Sequence, residues 1–125
     1  MLYRFIAAGL LAFTLAACSS LVPPPPPTLR PQEVHGRNVF DSYCSRCHDL
    51  AAGSVLVGPS MAGVAGRAGE RVPGLDAEAY IRQSIMEPKA YTVEGFTEGL
   101  MPEDISTQLG QENLDAVVAF LLTLK

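Results

Sequence analysis

The 125-residue chain is poor in the side chains on which most active sites and nucleic-acid interfaces depend. It has no tryptophan, two histidines and three cysteines, and its nine basic residues are outnumbered by thirteen acidic ones. With so few histidines, and no paired-carboxylate or serine–histidine–acid set to single out, acid–base catalysis has little to work with. The chain has neither a basic stripe nor a phosphate-cradling glycine loop, so nothing indicates nucleic-acid binding.

Long apolar runs are confined to the N-terminus. Beyond residue 17, no segment reaches the 18 consecutive apolar residues expected of a membrane span. Residues 1–17 carry one early cation, Arg4, and then an apolar stretch interrupted only by Gly9 and Thr14. This pattern predicts a secretory signal peptide, because the stretch is too short and one-sided for a good membrane span.

Cys18 follows the apolar stretch directly. The run Leu15-Ala16-Ala17-Cys18 resembles the lipobox of bacterial lipoproteins, in which the signal is removed just before a cysteine whose sulfur carries diacylglycerol. The resemblance implies that Cys18 is a lipid anchor; the alternative is cleavage elsewhere, which would leave a spare thiol. Acyl chains on Cys18 would hold the protein on the periplasmic or extracytoplasmic face of a bacterial membrane without spanning it.

Residues 18–31 are predicted to join this anchor to a single domain over residues 32–125. Five consecutive prolines occupy positions 23–27. Proline runs adopt extended polyproline II, at about 3.1 Å per residue, so the segment would act as a stiff tether roughly 30 Å long. A ligand for a proline-binding module is the less favoured interpretation of this segment in an exported chain.

The strongest signal in the domain is the pentapeptide Cys44-Ser45-Arg46-Cys47-His48. Two cysteines at this spacing, followed by a histidine, are typical of covalent c-type haem attachment. In a helical turn Cys44 and Cys47 lie on one face, so both sulfurs can form thioethers with one porphyrin. His48 would then take one axial position on the iron. The motif predicts an electron carrier with one haem c.

Two other interpretations of the cysteine pair are weaker. A thioredoxin-like redox pair would follow a strand within a βαβ pattern, and no such pattern is visible. A zinc site needs four ligands, whereas outside the motif the chain offers only Cys18 and His35 as further cysteine or histidine ligands.

The domain is predicted to be all-α with long loops, because glycine and proline crowd its middle and β-branched alternation is absent. Three helices are predicted, over residues 32–47, between Asp76 and Pro88, and over residues 111–123. The residues predicted to face the core in the first helix are Gly36, Phe40, Tyr43 and Cys47. Those in the other two are Tyr80, Ile81, Ile85, Leu114, Val117, Val118, Leu121 and Leu122.

Two stretches of the domain resemble class I cytochrome c. They are the pattern G-x-x-x-F-x-x-x-C-x-x-C-H over residues 36–48 and the run V-V-A-F-L over residues 117–121. The resemblance implies a class I cytochrome c fold, with three main helices around a covalent haem. It also implies that the first and last helices cross closely at Gly36, with Phe40 and Phe120 at the crossing, and that the protein carries electrons and is not an enzyme.

The second axial ligand must come from methionine, because His35 is the only other histidine. Met61 lies just 13 residues beyond the haem-motif histidine, in a loop that would have to turn at once around the ring. Met86, near the end of the second helix, is more typical of a core position. Met101 begins a Met-Pro pair in the loop before the last helix, and this pair resembles the distal ligand of the family. Met101 is therefore the predicted ligand, with Met86 as the alternative.

Two residues near the motif are implied by the same resemblance. In the family, the carbonyl at the position of Pro59 accepts the proton on the other ring nitrogen of the histidine, which fixes the tautomer and raises ligand basicity. An ordinary loop proline is the alternative. Arg67 would either pair with a haem propionate or be an exposed arginine.

Residues 79–101 resemble particular groups of cytochrome c domains, and this resemblance indicates which redox partner to expect. They are similar to the haem c domain fused to subunit II of some haem–copper oxidases, and to the monohaem lipoprotein cytochrome of alternative complex III, a quinol-oxidising respiratory complex. The chain shows neither the transmembrane hairpin nor the copper domain of subunit II, which favours a separate cytochrome. The resemblance implies a membrane-tethered subunit that passes electrons toward a terminal oxidase or a soluble carrier. The alternatives are an independent lipid-anchored shuttle and, from another class, a haem enzyme or gas sensor with an open distal site.

Net charge bears on how such a carrier would dock. Removing residues 1–17 takes away only Arg4, so the formal charge changes from −4 to −5. An acidic carrier is steered toward a basic surface at a rate that falls as salt rises, although acidic residues this scattered are also typical of simple solubility.

Overall fold

Four helices and long loops make up residues 28–125, the part of the chain that the computed structural model describes. The helices are α1 (Pro31–Val39), α2 (Val64–Arg67), α3 (Ala77–Met86) and α4 (Ile105–Leu121). Within these residues there is no β-strand, and no helix is long and apolar enough to cross a membrane. The predicted all-α fold is confirmed. The predicted signal peptide, Cys18 and the prolines at 23–27 lie outside the described residues.

Helix α1 starts one residue before the predicted position, at Pro31. Proline suits the first position of a helix because its missing N–H would have no partner there. Glu33 caps the same end, because its carboxylate accepts a hydrogen bond from the backbone N–H of Arg30 at 2.7 Å. In the sequence, only residues 28–30 separate the prolines at 23–27 from the start of α1.

The first helix widens into a π-helical turn over Phe40–Cys44. The N–H of Ser45 donates to the carbonyl of Phe40 at 3.0 Å, five residues back. This extra residue rotates the chain relative to a regular helix. Tyr43 is 43% exposed as a result, so the prediction that it shares the buried face of Gly36 and Phe40 is wrong.

Helix α3 agrees with its prediction. The Asp76 side chain caps it by accepting a hydrogen bond from the N–H of Ala79 at 2.8 Å. The residues predicted to face the core are buried, namely Tyr80, Ile81 and Ile85.

Helix α4 begins at Ile105, six residues before the predicted start. Gly110 interrupts it with a left-handed φ of 69°, so one turn precedes the kink and the predicted helix follows it. The buried residues of the second part include Leu114, Val117, Val118 and Leu121, as predicted, whereas Leu122 is only half-buried.

Helices α1 and α4 are in close contact at Gly36. A Cβ atom at Gly36 would lie 2.5 Å from the carbonyl carbon of Ala116 and 2.8 Å from the Cβ of Phe120, and closer still to the carbonyl oxygen of Ala116. Only glycine leaves room for this approach. The rings of Phe40 and Phe120 pack beside it with centroids 5.9 Å apart. The predicted crossing of the first and last helices is therefore confirmed.

A short helical segment that was not predicted holds the middle of the chain against this core. It consists of α2 and the 3₁₀ turn Ala68–Glu70. Val64 and Ala68 are buried, and the N–H of Ala65 donates to the carbonyl of Leu124 at 3.0 Å. The loop that follows the haem motif is thereby fixed to the C-terminal end of the domain.

Candidate functional site

The motif residues are held together in one turn at the end of the π-helical segment. The N–H groups of Cys47 and His48 both donate to the carbonyl of Cys44, at 3.0 and 2.9 Å. Both thiols are half-buried and free. Burial raises the pKa of the Cys44 thiol from 9.0 to about 11, and the neighbouring Cys47 adds to the shift. The Cys44 thiol is therefore protonated at neutral pH.

The imidazole of His48 is oriented by the loop that follows the motif. Its Nδ1 lies 2.9 Å from the carbonyl oxygen of Pro59. A carbonyl oxygen can only accept, so Nδ1 carries the proton and Nε2 keeps a free lone pair for a metal. The structure thus brings Pro59 to the contact that the resemblance implied. The role of this contact toward an iron-bound His48 stays a prediction.

Gly58 lets the backbone of this loop lie directly against the imidazole ring. A Cβ at Gly58 would lie 2.8 Å from Nδ1 and 3.0 Å from Nε2 of His48, with Cε1 nearer still. Its N–H also donates to the carbonyl of Cys47 at 2.8 Å. Sequence reasoning did not assign Gly58 a role at the site, and the only available signal was its place before Pro59.

The turn after the motif is fixed by the carboxylate of Asp49. This group accepts hydrogen bonds from the N–H groups of Leu50 at 2.6 Å and Ala51 at 3.1 Å. A hydrogen bond from Ser54, followed by those from Ala51 and Leu50, lowers the pKa of the Asp49 carboxyl. Asp49 was not predicted, because a carboxylate that bonds only to groups in the turn just after it has no distinctive sequence pattern.

Arg67 binds the backbone of the loop next to His48, and its pairing with a haem propionate stays a prediction. It is half-buried, and its guanidinium donates to the backbone carbonyls of Ser60 and Ala62. Burial, followed by the nearby charge of Arg71, lowers the pKa of Arg67. The interpretation as a freely exposed arginine is wrong.

The three candidate methionines have different environments. Met61 and Met101 are half-buried and pack against the core, whereas Met86 is 49% exposed. The prediction that Met86 fills the core is therefore wrong, because it faces outward at the end of α3. Met61 lies on the loop that cradles His48, with its N–H donating to the carbonyl of Asp49 at 2.7 Å. Met101 comes from a different loop, the one that leads into α4.

The loop that carries Met101 is tied to the segment after α3. The Nζ of Lys89 lies 2.5 Å from a carboxylate oxygen of Glu103, two residues after Met101. This ion pair, first through its hydrogen bond, raises the pKa of Lys89. Both side chains are more than half exposed, so the pair is a surface contact.

These residues fit a covalently attached haem. The two thiols can form thioethers, the imidazole of His48 has one nitrogen engaged and the other free, and Met101 offers a thioether sulfur. The cradle around the ring of His48 leaves no room for a side chain at Gly58. Between residues 28 and 125, no group of three or more histidine, cysteine or acidic side chains could hold a bare metal ion.

A family model and several solved structures are similar to this chain. A family model described as cytochrome c matches residues 33–125. An engineered cytochrome c from Rhodothermus marinus, bound to a carbene intermediate, is 18% identical, with a TM-score of 0.43 and coverage of 82% of this chain and 89% of that chain. The structure described as cytochrome c from Rhodothermus marinus is also 18% identical, with a TM-score of 0.41 and the same coverage. No curated protein sequence matches the chain. Because the family model matches most of its length, the chain belongs to the cytochrome c family and binds haem c covalently.

Proposed function

We propose that the protein is a membrane-tethered monohaem electron carrier in which His48 and Met101 hold the iron in both oxidation states. The observation that carries this proposal is the arrangement of His48, which follows the two cysteines in one turn and donates from Nδ1 to Pro59. Bound haem c supplies the exchange of one electron at iron. The electron-transfer role is typical of the family to which the chain belongs.

The contacts of His48 suit an iron ligand that keeps its position when the iron is oxidised or reduced. Donation from Nδ1 to the carbonyl of Pro59 fixes the tautomer and raises the basicity of Nε2. The ring also lies so close to Gly58 that any side chain at that position would collide with it. A ligand held in this way needs little rearrangement when the iron gains or loses an electron.

A thioether from Met101 would complete the site. Methionine opposite histidine raises the reduction potential of cytochromes c, and it fills the position that an enzyme or gas sensor keeps open for its substrate. The packing of Met101 against the core and the ion pair beside its loop both favour a held ligand. We therefore prefer electron transfer to peroxide, oxygen or nitric oxide chemistry.

Membrane tethering is supported by the sequence before residue 28. The lipobox-like run ending at Cys18 provides a lipid anchor, and the prolines at 23–27 provide a stiff spacer. Because α1 begins at Pro31, this spacer would enter the haem domain directly. A domain held close to the membrane on a short tether suits a redox partner that lies in the same membrane.

The preferred partner is a quinol-oxidising respiratory complex of the alternative complex III type. The support is the similarity of residues 79–101 to the monohaem lipoprotein of that assembly. In this role the protein passes electrons from the complex toward a terminal oxidase or a soluble carrier. An independent lipid-anchored shuttle is the second candidate, because it would need the same anchor, tether and axial ligands.

Fractionation of the full chain tests both anchoring and assembly. The wild-type protein and Cys18→Ala are expressed in the native organism with an affinity tag after Lys125, and membranes are dissolved in mild detergent. We expect the wild-type protein in the membrane fraction, together with a multihaem assembly, and Cys18→Ala in the soluble fraction with an unchanged haem spectrum. Recovery of the wild-type protein alone would favour the shuttle, and equal membrane binding of Cys18→Ala would contradict the anchor.

A further inference from the structure

We propose that Arg67 is a positioning residue for His48, which it influences through the loop formed by residues 58–62. Both side chains are hydrogen-bonded to the loop, His48 through the carbonyl of Pro59 and Arg67 through other carbonyls of the same segment. We call the side of the loop that faces His48 and the haem motif the inner side, and the side bound by the guanidinium of Arg67 the outer side. This inference rests on the proposed function to the extent that His48 is an axial ligand.

The inner side of the loop is bound to the haem motif and the turn after it. The Pro59 carbonyl accepts from His48 at 2.9 Å. Three other hydrogen bonds join the same segments, from Gly58 N to Cys47 O at 2.8 Å, from Met61 N to Asp49 O at 2.7 Å, and from Ser60 Oγ to Ala51 O at 2.7 Å. Four successive residues of the loop thus have a partner on this side, so a shift of the loop would move the acceptor of His48.

The outer side of the loop is bound by Arg67. Its two terminal nitrogens donate separately to the carbonyls of Ser60 and Ala62, the residues on either side of Met61. The planar guanidinium suits this pair of acceptors because it presents several donors in one rigid fork. Bonds from a charged donor are about twice as strong as neutral ones.

The backbone of Arg67 is held in place by the core. Arg67 is the last residue of α2, whose neighbours Val64 and Ala68 are buried in the core. The same short helix is bound to the C-terminal end of the chain through Ala65 and Leu124. Arg67 therefore links the loop of residues 58–62, which contacts His48, to the packed core of the domain.

Loss of the hydrogen bonds of Arg67 should change the reduction potential of the haem iron. If the loop moves away, Nδ1 of His48 loses its acceptor and the imidazole becomes a weaker base. A weaker base stabilises ferric iron less, so the reduction potential rises. Loss of a positive charge alone would lower the potential instead, because a nearby cation favours the added electron.

The substitution Arg67→Lys separates positioning from charge. Lysine keeps the charge but cannot hold two carbonyls with a planar fork. A role toward a haem propionate would be largely preserved by lysine, whereas the role proposed here would be lost. Arg71→Lys is the matched control, since Arg71 is a half-buried neighbour whose side chain forms no hydrogen bond or ion pair within residues 28–125.

The experiment compares wild-type, Arg67→Lys and Arg71→Lys holoproteins. Two quantities are measured, namely the solvent exchange rate of the Nδ1 proton of His48, by NMR of the reduced state, and the reduction potential. Loss of one charge-assisted bond predicts at least a tenfold faster exchange in Arg67→Lys, together with a higher potential. Arg71→Lys should stay within twofold of wild type. An exchange rate and a potential in Arg67→Lys equal to those of the control would overturn the proposal.

Ser60→Ala provides a second variant that changes no charge. It removes two bonds of Ser60 Oγ, the one donated to the carbonyl of Ala51 on the inner side of the loop and the one accepted from the N–H of Ala62. We expect faster exchange of the Nδ1 proton by a smaller factor than in Arg67→Lys. If Arg67→Lys does not assemble, unchanged exchange in Ser60→Ala refutes the proposal. A wild-type holoprotein without an iron-bound His48 would instead refute the proposed function itself.

Discussion

Replacing Gly36 by alanine should separate the first and last helices of the domain. The new methyl carbon would lie 2.5 Å from the carbonyl carbon of Ala116 and 2.8 Å from the Cβ of Phe120. Carbon atoms in contact are normally about 3.5–4.0 Å apart, so the helices must move by about 1 Å. The nearest obstruction is backbone, which no side-chain rotation can relieve.

The size of the effect follows from two opposing contributions. Overpacking of a core costs about 1–3 kcal/mol, and an obstruction by backbone belongs at the upper end of this range. Alanine is favoured over glycine within a helix by about 1 kcal/mol. The free energy of unfolding should therefore fall by about 2 kcal/mol, which corresponds to a decrease in Tm of about 10 °C for a domain of this size.

Gly66→Ala is the matched control for this substitution. Gly66 lies in α2, and no atom lies within 4 Å of the position that its methyl group would occupy. This variant should be unchanged or stabilised by about 0.4–1 kcal/mol. Thermal unfolding of the holoproteins is followed by far-ultraviolet circular dichroism. A Tm for Gly36→Ala equal to that of Gly66→Ala would refute the close contact between the helices.

Three other variants test the site and its surroundings. Gly58→Ala places a methyl carbon 2.8 Å from Nδ1 of His48, so haem incorporation should fall and the reduction potential of the remaining holoprotein should change. An unchanged potential would contradict the close contact between Gly58 and His48. Lys89→Gln removes the ion pair with Glu103 beside the loop that carries Met101, so exogenous imidazole should replace Met101 up to about fivefold more readily at low salt, with the difference lost at high salt. Equal affinity of the variant and wild type for imidazole at low salt would show that the ion pair does not hold this loop. Hydrogen bonds from Gln111 and Arg82 lower the pKa of the Asp115 carboxyl. The carboxylate therefore stabilises the fold at pH values above its unfolded pKa of about 3.9, and this stabilisation is lost as the pH falls through the lower pKa of the folded state. In urea unfolding, Asp115→Asn should therefore be less stable than wild type at pH 6 and equal to it in strong acid, and a constant difference would contradict the assignment.

The helices that could be predicted from sequence are those with an unbroken apolar period. Helix α3 has a capping aspartate before it and a proline after it, and its core residues recur at helical spacing. The first turn of α4 was missed because the left-handed backbone at Gly110 interrupts the period. Helix α2 has only four residues, too few to show a period at all.

At the site, too, residues that are neighbours in the sequence could be predicted, whereas contacts that form only in the folded chain could not. Cys44, Cys47 and His48 could be identified because they lie in one turn and their chemistry requires that spacing. The partners of Arg67 are backbone carbonyls, which leave no pattern of side chains in the sequence. The exposure of Tyr43 follows from a π-helical turn, which no apolar spacing reveals.

The absorption spectrum of the oxidised holoprotein tests the central claim most directly. Methionine sulfur on ferric iron gives a weak far-red band, which reports the ligand opposite His48. We predict that the wild-type protein shows this band and that Met101→Ala loses it, while Met61→Ala and Met86→Ala retain it. A band that persists in Met101→Ala, or a wild-type protein that is high-spin and lacks the band, would contradict an electron-transfer site closed by His48 and Met101.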